Sequence, residues 1–168
     1  MKKNKTIIFS LVIITLLVFG CGRGIYEDSK EMVAEVKTRI TEISPEDLQA
    51  MMNNKEDFVL LDVRCDGEVA KGTIPGAVHI SRGLLEFKIT GKYPDRNTNF
   101  VLYCKKGGRG ALATETLHRL KYKNVVNLMG GWEAFIKAYP DIAPEIKSDE
   151  PGPSEKEAAT AEDDGGCG

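Results

Sequence analysis

The stretch Asn99-Phe100-Val101-Leu102-Tyr103-Cys104-Lys105-Lys106-Gly107-Gly108-Arg109-Gly110-Ala111 decides the fold. Its apolar first half predicts a buried strand, its glycines a tight loop, and the residues from Arg109 onward a helix. A strand that feeds a glycine loop at a helix start gathers backbone N–H groups into one small space. Lys105, Lys106 and Arg109 add positive charge around it. Such a space stabilises an anion, and a thiolate is an anion, so Cys104 is placed as a candidate nucleophile. A structural cysteine at a strand end would account for Cys104 alone. It would not account for the glycines, the cations and the helix start together.

The flanking sequence repeats the same alternation. Arg39 to Ile43 predicts a short strand. Ser44-Pro45-Glu46-Asp47 is a helix start, with Ser44 as the cap, Pro45 in the first turn and acids at the positive end of the helix dipole. That helix runs to about Asn53. Phe58 to Val63 is a continuous apolar run containing Asp62, the pattern of a strand covered on both faces. Ala77 to Ile80 predicts another short strand and Ser81 to Lys88 a helix. Arg109 to Leu120 predicts a helix that turns Leu112, Leu117 and Leu120 inward. Asn124 to Leu128 is a strand, and Gly131 to Ala138 a helix stopped by Pro140. Strands alternating with helices over 38–140 imply an α/β domain, a central parallel sheet with helices on both faces. Ligands in such sheets bind beyond the carboxyl ends of the strands, which is where Cys104 falls.

The ends of the chain differ in composition. Lys2, Lys3 and Lys5 precede an apolar run from Thr6 to Phe19, 14 residues long and short for a bilayer span. Residues 1–20 read as a signal segment. Val18-Phe19-Gly20-Cys21 is similar to a bacterial lipobox, in which Cys21 becomes the lipidated N-terminus. An uncleaved anchor helix and an ordinary signal peptide are the alternatives, and all three export the rest of the chain. The expected location is a bacterial membrane surface, on the periplasmic or outer-membrane side. Residues 21–37 read as a stalk with some helical spacing at Met32, Val33 and Val36. Residues 141–168 read as an acidic disordered tail.

The 168 residues carry a net charge of −2; losing three lysines and no acid with residues 1–20 makes it −5. No basic stripe suggests nucleic acid. The four cysteines, Cys21, Cys65, Cys104 and Cys167, form no CxxC pair, and with two histidines no zinc pattern emerges. Neither a metal nor an organic cofactor is implied.

Four stretches resemble the single-domain rhodaneses, a sulfurtransferase family. They are Leu60-Leu61-Asp62-Val63-Arg64, Gly72-Thr73-Ile74-Pro75-Gly76-Ala77-Val78-His79-Ile80, Tyr103-Cys104-Lys105-Lys106-Gly107-Gly108-Arg109, and Met129-Gly130-Gly131-Trp132-Glu133-Ala134-Phe135. They occur in the family's order. The resemblance implies a rhodanese-like α/β fold and a cysteine that cycles through a persulfide. Four residues separate Cys104 from Arg109. Phosphatases that resemble rhodaneses carry five there and form a wider cradle, which ranks a phosphatase or arsenate reductase below sulfur transfer.

The expected chemistry is two displacements. Cys104 takes the outer sulfur of a small anionic donor, thiosulfate or polysulfide, and yields it to a thiol or cyanide-like acceptor, which could be a protein. Backbone N–H groups of 105–109, spanning Lys105, Lys106, Gly107, Gly108 and Arg109, would hold the anionic sulfur. Arg109 either orients the donor or braces the loop. Arg64 and Arg82 each follow a strand end on the same side of the sheet, a layout similar to that of polysulfide-binding rhodaneses. For Arg64 the equal alternative is pairing with Asp62 or Glu68 to fix the loop. Cys65 reads first as an incidental loop thiol. A resolving role toward Cys104 would require Cα atoms within roughly 7 Å. Asp62 reads as a buried acid bonding to backbone, His79 as a structural strand residue and Trp132 as a packing or cap residue. A sulfur carrier with little turnover, or a non-catalytic binding module, is the alternative from another class.

Overall fold

The computed structural model describes residues 25–142. The signal segment, Cys21, and the tail from residue 143 with Cys167 lie outside the described residues.

The chain runs α1 (Ser29–Lys37), β1 (Thr41–Ile43), α2 (Pro45–Asn53), β2 (Val59–Asp62), α3 (Asp66–Val69), β3 (Val78–His79), a 3-10 turn (Arg82–Leu84), α4 (Leu85–Lys92), β4 (Asn99–Tyr103), α5 (Gly108–Arg119), β5 (Asn124–Leu128) and α6 (Gly131–Ala138). The five strands form one sheet in the order β1-β5-β4-β2-β3, with every pairing parallel. The two longest strands, β4 and β5, sit inside it, and β4 lies at the centre.

Side chains alternate across each strand, so each face has its own core. Leu61 and Val63 of the β2 run, with Phe100, Leu102 and Cys104 of the β4 run, pack against Leu85 and Ile89 of α4 and Ala113 and Leu117 of α5. Leu60, Val101 and Tyr103 pack on the other face against Leu48 of α2 and Trp132 and Phe135 of α6. Cys104 therefore continues the α4/α5 face of β4 one residue beyond the strand. On α5 the buried positions are Gly110, Ala111, Ala113, Thr114 and Leu117, while Leu112 is half-buried. The expected Leu112 core position thus gives way to smaller residues, because α5 lies close to the sheet and small side chains admit that approach.

The stalk reading is corrected for residues 29–37. They form α1, capped by Asp28, whose carboxylate accepts from the N–H groups of Lys30 and Glu31. Val36 is buried and Val33 packs over Gly108 at the start of α5. Arg39, just beyond α1, pairs with Glu115 of α5 at 2.7 Å. Half of the supposed stalk is thus an outer layer of the domain, laid against the helix that follows Cys104.

Candidate active site

Cys104 sits where β4 ends, 2 % exposed. The loop after it is shaped by its carbonyls. Cys104 O accepts from Trp132 N–H at 2.8 Å, and Lys105 O accepts from Glu133 N–H at 3.0 Å. These two donors are N-terminal N–H groups of α6, which have no partner within their own helix. A trans peptide points its C=O and N–H in opposite directions. Fastening two carbonyls to α6 therefore turns the N–H groups of Lys105 and Lys106 away from α6. Gly107 completes the loop with φ +90°, and its N–H donates to Cys104 Sγ at 3.2 Å. Its carbonyl accepts from Asn127 Nδ2 at 3.2 Å. Asn127 Nδ2 also donates to Glu42, which pairs with Lys37 of α1 at 3.0 Å.

Gly131 packs closely under this loop. Its φ is +59°, and a Cβ there would overlap Cys104 O and lie 2.9 Å from Gly107 N. Gly131→Ala is expected to lose roughly 2–4 kcal/mol, from the left-handed backbone and from overpacking. Urea unfolding checks the loss, and reactivity of Cys104 toward an alkylating agent checks the loop. An unchanged midpoint would show that the loop gives way freely.

The three arginines play different parts. Arg109 grips Glu68 with both terminal nitrogens, at 2.7 and 2.8 Å. Its guanidinium is thus committed to bracing the loop, the second of its two expected roles. Arg64 is 2 % exposed and donates to Asp62 from Nε and Nη2, to Gly72 O at 2.6 Å and to Glu68 O at 3.3 Å. It also lies over the Trp132 ring at 4.5 Å. The donor-binding expectation for Arg64 is corrected: burial and the bonds to Asp62, Gly72 O and Glu68 O make it the scaffold of the 64–72 segment. Arg82 lies half-buried, with Nη1 on Glu86 at 2.7 Å and Nη2 on Thr116 Oγ1 at 2.9 Å. It ties the 3-10 turn and α4 to α5. Lys105 and Lys106 are exposed, Lys105 Nζ lying 3.9 Å from Glu133. Gly108 opens α5, which places it at the helix start expected for the loop's end.

Asp62 is fully buried and accepts from Arg64, including its backbone N–H at 3.0 Å, and from Thr73 at 3.2 Å. His79 Nε2 meets Arg64 O at 2.8 Å, a structural contact. Trp132 both packs on Arg64 and ties down Cys104 O.

Sequence reasoning treated Glu68 only as a partner for Arg64. In the structure it is the hub of the site's rim. One oxygen, Oε2, receives Arg109 Nη1, Cys65 N and Cys65 Sγ. The Arg109 hydrogen bonds, helped by those from Cys65, hold the Glu68 carboxyl down to about 2 against a burial that opposes them. The same pairing raises Arg109, and negative charge on Cys104 or Cys65 raises it further. Because the folded-state value is depressed, ionised Glu68 stabilises the protein fully above its ordinary value of 4.5. That contribution is lost as pH falls through about 2. Glu68→Gln is therefore expected to be less stable at neutral pH and to show a shallower loss between these limits. Unfolding midpoints across an acid titration measure it; parallel curves for the two proteins would refute the assignment. Asn127 and Gly110 were also missed. Gly110 leaves room for the Asn127 side chain, an interlock with no short-range sequence signature.

Among the described residues, no group of three or more His, Cys, Asp and Glu is placed to hold a metal. The arrangement presents the Cys104 sulfur at a strand end, an N–H beside it and a braced loop. It suits a displacement on a small electrophile that leaves negative charge on sulfur.

The family profile of the rhodanese-like domain matches residues 44–138. A sulfurtransferase of Allochromatium vinosum is 34% identical over 107 residues, covering 63% of this chain and 98% of its own. A solved Rhodopseudomonas palustris protein of unknown function, described as a possible tyrosine phosphatase, is 30% identical with a TM-score of 0.62, covering 71% of this chain and 96% of its own. The human single-domain sulfurtransferase TSTD1 is 28% identical with a TM-score of 0.51, covering 57% and 95%. With the parallel sheet, the cysteine at the end of its central strand and a matching profile over most of the described residues, the chain belongs to the rhodanese-like domain family.

Proposed function

We propose that this protein is a sulfurtransferase in which Cys104 takes sulfane sulfur from thiosulfate or polysulfide, holds it as a persulfide and yields it to a thiophilic acceptor. The observation that carries the reading is Cys104 Sγ facing the Gly107 N–H in a loop fastened to α6 and braced by Arg109–Glu68. In the first displacement Cys104 thiolate attacks the outer sulfur of the donor, and sulfite or a shortened polysulfide leaves. In the second the acceptor attacks the sulfur now on Cys104 and frees the thiolate. The loop N–H groups hold the negative charge in both states. Exposed Lys105 and Lys106 attract the anionic donor, and Arg82 would add to that field at a rim where Glu86 already answers part of its charge.

The test is thiocyanate formation from cyanide, with thiosulfate and polysulfide as parallel donors and an aryl phosphate as a third substrate. Turnover with a sulfur donor and none with the phosphate supports the reading. Phosphate hydrolysis without sulfur transfer overturns it. Persulfide formation on Cys104 without turnover would instead identify a sulfur carrier.

We propose also that Cys21 is lipidated and holds the domain at a bacterial membrane, on the periplasmic or outer-membrane side. The charged, apolar and Cys21-ending order of residues 1–21 supports this. The full chain should partition with membranes and Cys21→Ser should not; equal partitioning of both would reject the anchor.

A further inference from the structure

Cys65 is the one described cysteine that the two displacements leave unused. It caps α3 and is half-buried, whereas Cys104 is 2 % exposed. The parallel register brings the two chain segments together. Asp62 lies opposite Tyr103, and Val63 N–H donates to Tyr103 O at 2.9 Å. Cys65 follows Val63 by two residues and Cys104 follows Tyr103 by one. Beyond the strand ends one ion pair touches Cys65 and braces the start of the helix that follows Cys104. Cys65 Sγ donates to Glu68 Oε2 at 3.2 Å, the oxygen that Arg109 Nη1 holds at 2.7 Å. Arg109 in turn lies in the first turn of α5, directly after the Cys104 loop, and negative charge on either thiol raises its pKa.

We propose that Cys65 is a second catalytic thiol, a relay that accepts the outer sulfur from a Cys104 persulfide and presents it to acceptors too bulky to reach Cys104. This rests on the persulfide reading above. A sulfur added to Cys104 extends about 2 Å beyond Sγ. In the relay step Cys65 gives its proton to water, since Glu68 is held too acidic to keep one. Its thiolate attacks the outer sulfur, a new S–S bond forms at Cys65 Sγ, and the bond to Cys104 Sγ breaks. The electron pair returns to Cys104 as a thiolate, which the Gly107 N–H receives. One sulfane sulfur moves, no external oxidant is consumed, and the Arg109 charge faces an anion before and after.

The experiment loads the full chain with polysulfide, alkylates it after increasing times and maps its tryptic peptides. Cys65 lies in the peptide 65–71 and Cys104 in the peptide 97–105. The expected result is one extra sulfur on the Cys104 peptide first and on the Cys65 peptide later, with the Cys65 signal lost in Cys104→Ser. In Cys65→Ser, discharge to a protein thiol should fall about tenfold relative to discharge to cyanide. A sulfur-bearing Cys104 beside an unmodified Cys65 overturns the relay and leaves the persulfide reading intact. So does a Cys65–Cys104 disulfide, because it means attack on the inner sulfur with release of sulfide. Equal labelling of Cys65 in Cys104→Ser also overturns it. Absence of extra sulfur on both peptides overturns the persulfide reading and the relay with it.

Discussion

Cys104→Ser is expected to lower sulfur transfer at least about a thousandfold, some 4 kcal/mol of transition-state stabilisation, while the domain stays folded. A hydroxyl at that position is a far weaker nucleophile than a thiol, and the hydrogen bond to Sγ comes from a backbone N–H, which cannot act as a base to activate it. The replacement buries a hydroxyl where a sulfur packed among Leu102, Val63 and Ala113. That costs roughly 1–3 kcal/mol if its hydrogen bond is poor, so a lower but cooperative thermal transition should remain. Thiocyanate formation and a melting curve on the same preparation separate the two effects. Residual activity within tenfold of wild type would remove Cys104 from the role of nucleophile.

Arg64→Met is expected to produce the largest loss of stability, roughly 3–5 kcal/mol. Methionine fills part of the space over Trp132, but it leaves the Asp62 carboxylate at 0 % exposure without its ion-pair partner. It also leaves Gly72 O without the 2.6 Å donor that holds the segment leading into β3. The double replacement Asp62→Asn with Arg64→Met should recover part of the loss, because the uncompensated charge is then gone. Denaturant midpoints of the two single variants and the double variant form the cycle that measures this coupling. If Arg64 served the donor instead, Arg64→Met would raise KM for thiosulfate and leave the midpoint unchanged. That result would reverse the scaffold assignment.

Much of the fold was legible because it is written in short-range periodicity. The apolar runs at 58–63 and 100–103, with a helix start at Ser44-Pro45 ahead of them, dictate a covered parallel sheet without long-range information. The capping box that Ser44 and Asp47 form in the structure is the local signal seen in the residues themselves. The place of Cys104 was legible for the same reason: a strand, two glycines and a helix start are contiguous, so the loop they form is local. Residues 29–37 were less legible. Their apolar positions are few, and α1 gains its place by packing on α5, some 75 residues further along the chain.

The amino-acid sequence by itself determined the alternation of strands and helices, the family motifs in their order and the position of Cys104 at the carboxyl end of a central strand. Tertiary structure decided what each charge does. Arg109 and Glu68 are 41 residues apart, and only the meeting of α3 with the β4–α5 loop makes them a clamp. Arg64 looks, in sequence, as available to a substrate as Arg82. Burial and its bonds to Asp62, Gly72 O and Glu68 O make it scaffold. The same meeting brings Glu68, the carboxylate that Cys65 already contacts three residues away, to the loop of Cys104. Periodicity records which residues face inward, because burial follows the local geometry of strand and helix. Partners in an ion pair follow from register, strand order and desolvation, which arise only when distant segments pack.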